Sequence, residues 1–127
     1  MANLFTWVEI PASDFDRAQK FYRTILGIEQ ELYQPPNMGE MRYGILPMEG
    51  EGAGGAIVQE PNYAPGQGQG VCVYLVVKGD LNATLAKVES AGGKVVIGKM
   101  SLGDMGPGYI AQFIDSEGNR VGLFSLE

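Results

Sequence analysis

Apolar and polar positions switch between two periods along the chain. Residues 4–10, LFTWVEI, form a short run rich in aromatic and β-branched residues, which predicts a strand. Asp14 then offers a helix N-cap, and Ala18, Phe21, Tyr22, Ile25 and Leu26 follow at helical spacing. Gly27 supplies the stop. Three further strands are predicted at 29–34 (EQELYQ), 41–47 (MRYGILP) and 55–59 (GAIVQ), separated by Gly, Pro and Asn.

The second half repeats this order. VCVYLVV at 71–77 predicts a strand, Asp80 a cap, and Leu81, Thr84, Leu85 and Val88 one helix face that ends at Gly92-Gly93. KVVIGK, GYIAQFID and NRVGLFSL predict three more strands. Asp14 superposes on Asp80, Gly27 on Gly93 and Tyr43 on Tyr109 with one constant shift of 66 residues, which indicates an internal duplication. Each half reads β-α-β-β-β. One helix covers one face of its sheet, so two such units side by side leave a cupped surface. The expected organisation is a single domain, 1–127, with module one at 1–58, a Pro- and Gly-rich linker at 59–70 and module two at 71–127.

Composition narrows the chemistry. A net charge of −6 argues against nucleic acid or an anionic membrane surface as partner. No apolar run approaches the ~20 residues that span a bilayer, and the first residues carry no secretory pattern. The expected location is the cytoplasm. One cysteine, Cys72, allows no intrachain disulfide. The chain has no histidine, which removes the commonest metal ligand and general base together with every Ser-His or Cys-His mechanism.

Two motifs carry a family resemblance. EIPASDFDRAQKFYRTILGI (9–28) is similar to the first strand, Asp cap and Ala-x-x-Phe-Tyr helix of the vicinal-oxygen-chelate superfamily, which includes glyoxalases, bleomycin-resistance proteins and dioxygenases. FIDSEGNRVGL (113–123) resembles its Asp-Pro-Asp/Glu-Gly-Asn turn, with Ser116 in place of the proline, and KVESAGGKVV resembles the end of its second helix. The resemblance implies an α+β fold in which two βαβββ modules form a cupped, incomplete barrel of eight strands. It does not specify a function, because the superfamily spans several chemistries. In metal-dependent members four residues converge on one divalent ion, and the corresponding positions here are Trp7, Ala56, Val73 and Gly122. None of these side chains binds a hard or borderline cation, which needs carboxylate, imidazole or thiolate. No metal and no cofactor is therefore expected.

The candidate ligand-binding residues are Phe5, Trp7, Glu9, Ala56, Val73, Gln112, Arg120 and Gly122. Trp7 is either an aromatic wall for a planar ligand or a core residue between the halves. Glu9 shares the strand face of Phe5 and Trp7. It could hold a cation or act as a general base if burial raises its pKa; otherwise it pairs with Arg42 or Arg120. Gln112 could orient a ligand or lie on the surface, and Arg120 could meet an anionic group at the rim. Cys72 is expected on the opposite face, beneath a helix. Gly50 to Gly55 match the dinucleotide pattern GxGxxG without its strand-to-helix context, so a flexible loop is expected there. Met38, Met41, Met48, Met100 and Met105 cluster around loops, suited either to an adaptable ligand surface or to core gaps. The leading reading is a metal-independent small-molecule-binding protein of the glyoxalase/bleomycin-resistance type that forms a homodimer. The alternative is a metal-independent isomerase or lyase with Glu9 as base.

Overall fold

The structure is a computed structural model that describes residues 4, 5, 7–50 and 52–127. The chain begins with β1 (Trp7–Pro11), α1 (Phe15–Leu26), β2 (Arg42–Ile45) and β3 (Gly54–Gln59). It continues with β4 (Tyr74–Val76), α2 (Leu81–Val88), β5 (Lys94–Ser101), a 3₁₀ turn at Gly103–Met105, β6 (Tyr109–Ile114) and β7 (Arg120–Ser125). The first sheet has the order β1-β3-β2 and the second β4-β7-β6-β5. In each half the first strand lies parallel to the last, and the remaining pairs are antiparallel. The result is an α+β fold of two open, cupped sheets and no closed barrel. No helix among the described residues is long and apolar enough to cross a membrane.

The helices form for the reasons legible in the chain. Asp14 has an extended backbone and accepts a hydrogen bond from the Arg17 amide at 3.1 Å, while Gly27 closes α1 in the left-handed conformation at φ 68. Asp80 caps α2 by accepting from the Asn82 amide at 2.9 Å. Lys99 donates to the same Asp80 carboxylate and, with that cap, holds it below its usual pKa. The buried face of α1 carries Phe15, Ala18, Gln19, Phe21, Tyr22 and Ile25, and that of α2 Leu81, Thr84 and Val88. Phe21 packs against Phe113 of the second sheet, ring centroids 5.8 Å apart, so one core runs beneath both sheets. Each large apolar side chain enclosed there contributes roughly 1.5–3 kcal/mol. Gly93 is required by this packing: a Cβ would sit 2.8 Å from the Phe21 ring and 2.5 Å from the Ile114 carbonyl oxygen. The positive φ belongs to its neighbour Gly92, at 110°.

Three expected strands change. Residues 29–34 form no ladder; Tyr33 makes one isolated bridge to Ile45, leaving seven strands among the described residues rather than eight. The Leu32 amide donates instead to the buried Gln19 side chain at 2.8 Å, and Pro35-Pro36 removes the next two amide donors. β1 spans 7–11 rather than 4–10, and β4 keeps only three residues of 71–77. Of that last run, Val71 is almost fully exposed.

The Asp115–Asn119 turn joins the halves. Asp115 accepts from the Glu117 and Asn119 amides and from the buried Tyr22 hydroxyl at 2.6 Å. Burial and this carboxylate push the Tyr22 hydroxyl well above its usual pKa. Asn119 Nδ2 donates to the Pro11 carbonyl at 2.7 Å. The Glu117 side chain is fully enclosed. It accepts from the Ser13 and Asp14 amides at 3.0 and 2.9 Å and from Arg17 Nε at 2.6 Å. It thus occupies the anion-binding N-terminus of α1. Burial alone would raise its pKa. The hydrogen bonds from Arg17, the Asp14 amide and Ser116, with the Arg17 charge, outweigh burial and lower it to about 2.

A carboxylate with a depressed folded-state pKa stabilises above its unfolded value, and that contribution is lost as pH falls from about 4.5 through about 2. Glu117→Gln is expected to lower unfolding free energy at pH 7 by roughly 2–4 kcal/mol and to flatten the acid limb of stability. Denaturant titrations at a series of pH values check both.

Candidate ligand-binding site

Side chains alternate along β1, so Val8 and Ile10 turn toward the helices while Trp7, Glu9 and Pro11 face the cup. Register places Trp7 beside Gly54 and Glu9 beside Ala56. Across β3, Tyr43 lies opposite Val58 and Ile45 opposite Ala56. A directed hydrogen-bond relay results: Trp7 Nε1 donates to Tyr43 Oη at 2.6 Å, and Tyr43 Oη donates to Glu9 Oε2 at 2.6 Å. Partial burial and then the Glu9 hydrogen bond raise the Tyr43 pKa, against the Trp7 donor. Met48 lies over Gly54 beside the Trp7 ring.

The second sheet carries a matching relay. Tyr74 lies opposite Gly122, and its ring covers that glycine so closely that a Cβ there would overlap it. Gln112 Nε2 donates to Tyr74 Oη at 2.5 Å, and Arg120 Nη1 donates to Gln112 Oε1 at 3.0 Å. The linker borders both relays. Tyr63 Oη donates to the Glu9 carbonyl at 3.3 Å, the Gly68 amide to the Gly118 carbonyl at 2.6 Å, and Arg120 Nε to the Gly68 carbonyl at 3.2 Å. The Pro- and Gly-rich stretch is therefore a pinned wall.

These contacts revise several expectations. Tyr74, not Val73, faces the cup opposite Gly122. The repeat shift of 66 holds from Ala56 to Gly122 but is 65 from Glu9 to Tyr74, their strand partners. Glu9 is exposed and pairs with neither arginine: Arg42 binds Asp16 at 2.9 Å, and Arg120 binds Gln112 and Gly68. Phe5 lies outside β1 and is exposed. Cys72 is half-buried and close enough to Arg120 for that charge to oppose the rise in thiol pKa caused by burial. Two residues before the cup-facing Tyr74, Cys72 falls by alternation toward the cup and not beneath a helix. Tyr43 and Tyr109 superpose in sequence but not in facing, because Tyr109 packs against the core. Trp7, Glu9, Ala56, Gln112, Arg120 and Gly122 do share the cupped side. Tyr43, Tyr63 and Tyr74 join them and were not singled out as site residues; Met48, one of the five loop methionines, lies beside Trp7.

The donor set does not fit the metal of the metal-dependent relatives. The cup-facing side chains offer one carboxylate, one thiol, tyrosine hydroxyls and an amide, too few carboxylate, imidazole or thiolate groups for such a centre. An arginine stands beside the amide, and an aromatic ring lies over the fourth ligand position. Among the described residues there is no group of three or more His, Cys, Asp or Glu that could hold a metal ion. A cavity of about 790 Å³ opens between β1 and β4 on the helix side of the sheets, bordered by Val8, Ile10, Ile25, Val77, Ala83 and Thr84; Trp7, Glu9, Gln112 and Arg120 do not line it.

Comparison with known proteins agrees with this architecture. A crystal structure of a glyoxalase/bleomycin resistance protein from Albidiferax ferrireducens superposes with a TM-score of 0.71 at 18% identity, covering 97% of this chain and 99% of that one. A maize glyoxalase I mutant superposes with a TM-score of 0.65 at 19% identity, covering 95% of this chain and 45% of that one. These likenesses concern the fold. In sequence, the candidate glyoxylase CFP32 of Mycobacterium tuberculosis is 29% identical over 118 residues. This chain, 93% of which is aligned, spans 44% of that relative's length. The sequence pattern of the Glyoxalase/Bleomycin resistance protein/Dioxygenase superfamily matches residues 4–123. The chain belongs to that superfamily.

Proposed function

We propose that this chain is a metal-independent small-molecule-binding module whose ligand lies in the cup against Trp7. The observation that carries this reading is the replacement of metal-binding chemistry by two aromatic-anchored relays, Trp7–Tyr43–Glu9 and Tyr74–Gln112–Arg120. Each couples a flat apolar surface to a fixed polar group, the combination that small-molecule sites use for contact area and orientation. Trp7 is 39% exposed and Tyr74 39% exposed, so both rings remain available to a ligand. The enzymatic alternative, with Glu9 as general base, calls for a carboxylate enclosed by apolar surface, and the exposure of Glu9 speaks against it. We also propose a homodimer, supported by the exposed Leu4, Phe5, Val71 and Val76.

Three measurements test these proposals. Elemental analysis after dialysis is expected to find no stoichiometric zinc, nickel, iron or manganese; one ion per chain, lost in Glu9→Gln, overturns the metal-independent reading. A screen of aromatic and cationic compounds is expected to yield a saturable shift of Trp7 emission, free of interference because the chain has one tryptophan. Trp7→Ala should weaken such a compound by about 1–3 kcal/mol. Light scattering at micromolar concentration should give the dimer mass, and a monomer mass contradicts the assembly.

A further inference from the structure

We infer that the ligand of the cup is a zwitterion of amino-acid or dipeptide size, its cationic group held by Glu9 and its anionic group by Arg120. The inference rests on the cup being a ligand site and adds the chemical class of its occupant.

Three tethers hold the two charges at one end of the cup. Asn119, the neighbour of Arg120, donates to the Pro11 carbonyl at 2.7 Å, and Pro11 lies two residues beyond Glu9 on the same strand face. Tyr63 binds the Glu9 carbonyl and Gly68 binds Arg120, so five residues of one linker bridge the two positions. The five peptide steps from Tyr63 to Gly68 span at most roughly 17 Å, the Tyr63 side chain completes the link to Glu9, and Glu9 and Arg120 both lie on the cup side of their strands. The two charges do not neutralise each other, since no ion pair joins them among the described residues.

Each charge also keeps unused bonding capacity. Tyr43 takes only Oε2 of Glu9, while Gln112 and Gly68 take only Nη1 and Nε of Arg120. Among the described residues Glu9 Oε1 and Arg120 Nη2 have no partner within the chain. The Tyr43 and Gln112 contacts hold the two groups in place at the ends of their relays. A ligand with one charge would meet one complementary group and one repelling group. A zwitterion satisfies both and leaves no net charge in the cup. Trp7, at the start of the Glu9 relay, offers the wall for an apolar side chain.

The dipeptide Phe-Gly and its end-blocked forms separate the contributions with little change of shape. Free Phe-Gly, its C-terminal amide (a cation), its N-acetyl derivative (an anion) and the doubly blocked neutral form are titrated against Trp7 emission. Free Phe-Gly is expected to bind at least about tenfold more tightly than either singly blocked form. In Glu9→Gln the advantage over the acetylated peptide should vanish while the acetylated peptide binds at least as tightly as before. In Arg120→Gln the advantage over the amide should vanish, and Arg120→Lys should retain it. Circular dichroism confirms that each variant is folded, and the Lys variant carries the test if the Gln variant is not. Equal binding of the four peptides overturns the inference, as does unchanged selectivity in the Glu9 variant. If no peptide shifts Trp7, the zwitterion is wrong. The dye 1-anilinonaphthalene-8-sulfonate then decides the underlying reading: binding that Trp7→Ala weakens leaves a ligand site without this ligand class, and no such binding removes the site as well.

Discussion

A single enclosed carboxylate governs the geometry of this chain. Glu117 sits in the turn between β6 and β7, yet its partners are the Ser13 and Asp14 amides and Arg17, which begin α1 in the other half. A charge shut away from water is expensive unless its hydrogen bonds are met, so the turn and the helix cannot drift apart without exposing an unsatisfied ion. Because β1 ends at Pro11, three residues before the Asp14 cap, fixing the helix start also fixes the end of β1. Asn119 completes the clasp through the Pro11 carbonyl. At the other end of the seam the polar cross-contact among the described residues is the Lys78–Glu49 pair at 3.5 Å, both side chains almost fully exposed. Such a pair contributes little. The seam is thus bound tightly at one end and weakly at the other, and the cavity between β1 and β4 opens on the weak side.

The clasp has a consequence for the cup. Glu9 and Arg120 are each within two residues of the clasped atoms Pro11 O and Asn119 Nδ2. Their backbones are positioned by the same bonds that hold the halves together. A site built on strands and steadied by such contacts loses little freedom when a ligand arrives, which favours affinity through preorganisation. The two relays extend this order to the side chains, since Tyr43 and Gln112 restrain the groups they touch.

Much of the fold was legible because its signals are local. Asp14, Gly27 and Asp80 mark helix ends by chemistry that needs no distant partner, and the spacing of Phe21, Tyr22 and Ile25 declares a buried helix face. The strands were less legible. VCVYLVV is apolar at nearly every position, so alternation cannot say whether Val73 or Tyr74 faces the cup; only pairing with Gly122 decides it. EQELYQ has a plausible strand composition, but the Leu32 amide is taken by Gln19 from α1, a long-range competitor invisible to local patterning. In the candidate site Trp7 and Gln112 were found from the family resemblance, Glu9 from alternation with Trp7, and Arg120 from sharing the strand face of Gly122. Tyr43, Tyr63 and Tyr74 were missed as site residues because their roles arise from contacts across 34, 54 and 38 residues. The turn itself was recognised as a family motif, but its work as the clasp between halves depends on Ser13 and Arg17, a hundred residues away in sequence.

The aromatic surfaces of the cup are coupled from strand to strand. Gly122 cannot carry a side chain while the Tyr74 ring lies on it, and that ring cannot lie there unless position 122 is glycine. Glycine at 122 and an aromatic surface at 74 are therefore one structural feature. Gly54 in the first sheet shows the same coupling, since a Cβ there would meet Met48 and the Trp7 ring. Reintroducing a carboxylate at 122 alone would displace Tyr74, break its bond to Gln112 and loosen the Arg120 relay before any ion was bound. It would also set an anion beside a guanidinium, which would pair with it and compete with a cation for its oxygens. The cup has thus been rebuilt around aromatic rings and hydrogen-bonded polar ends.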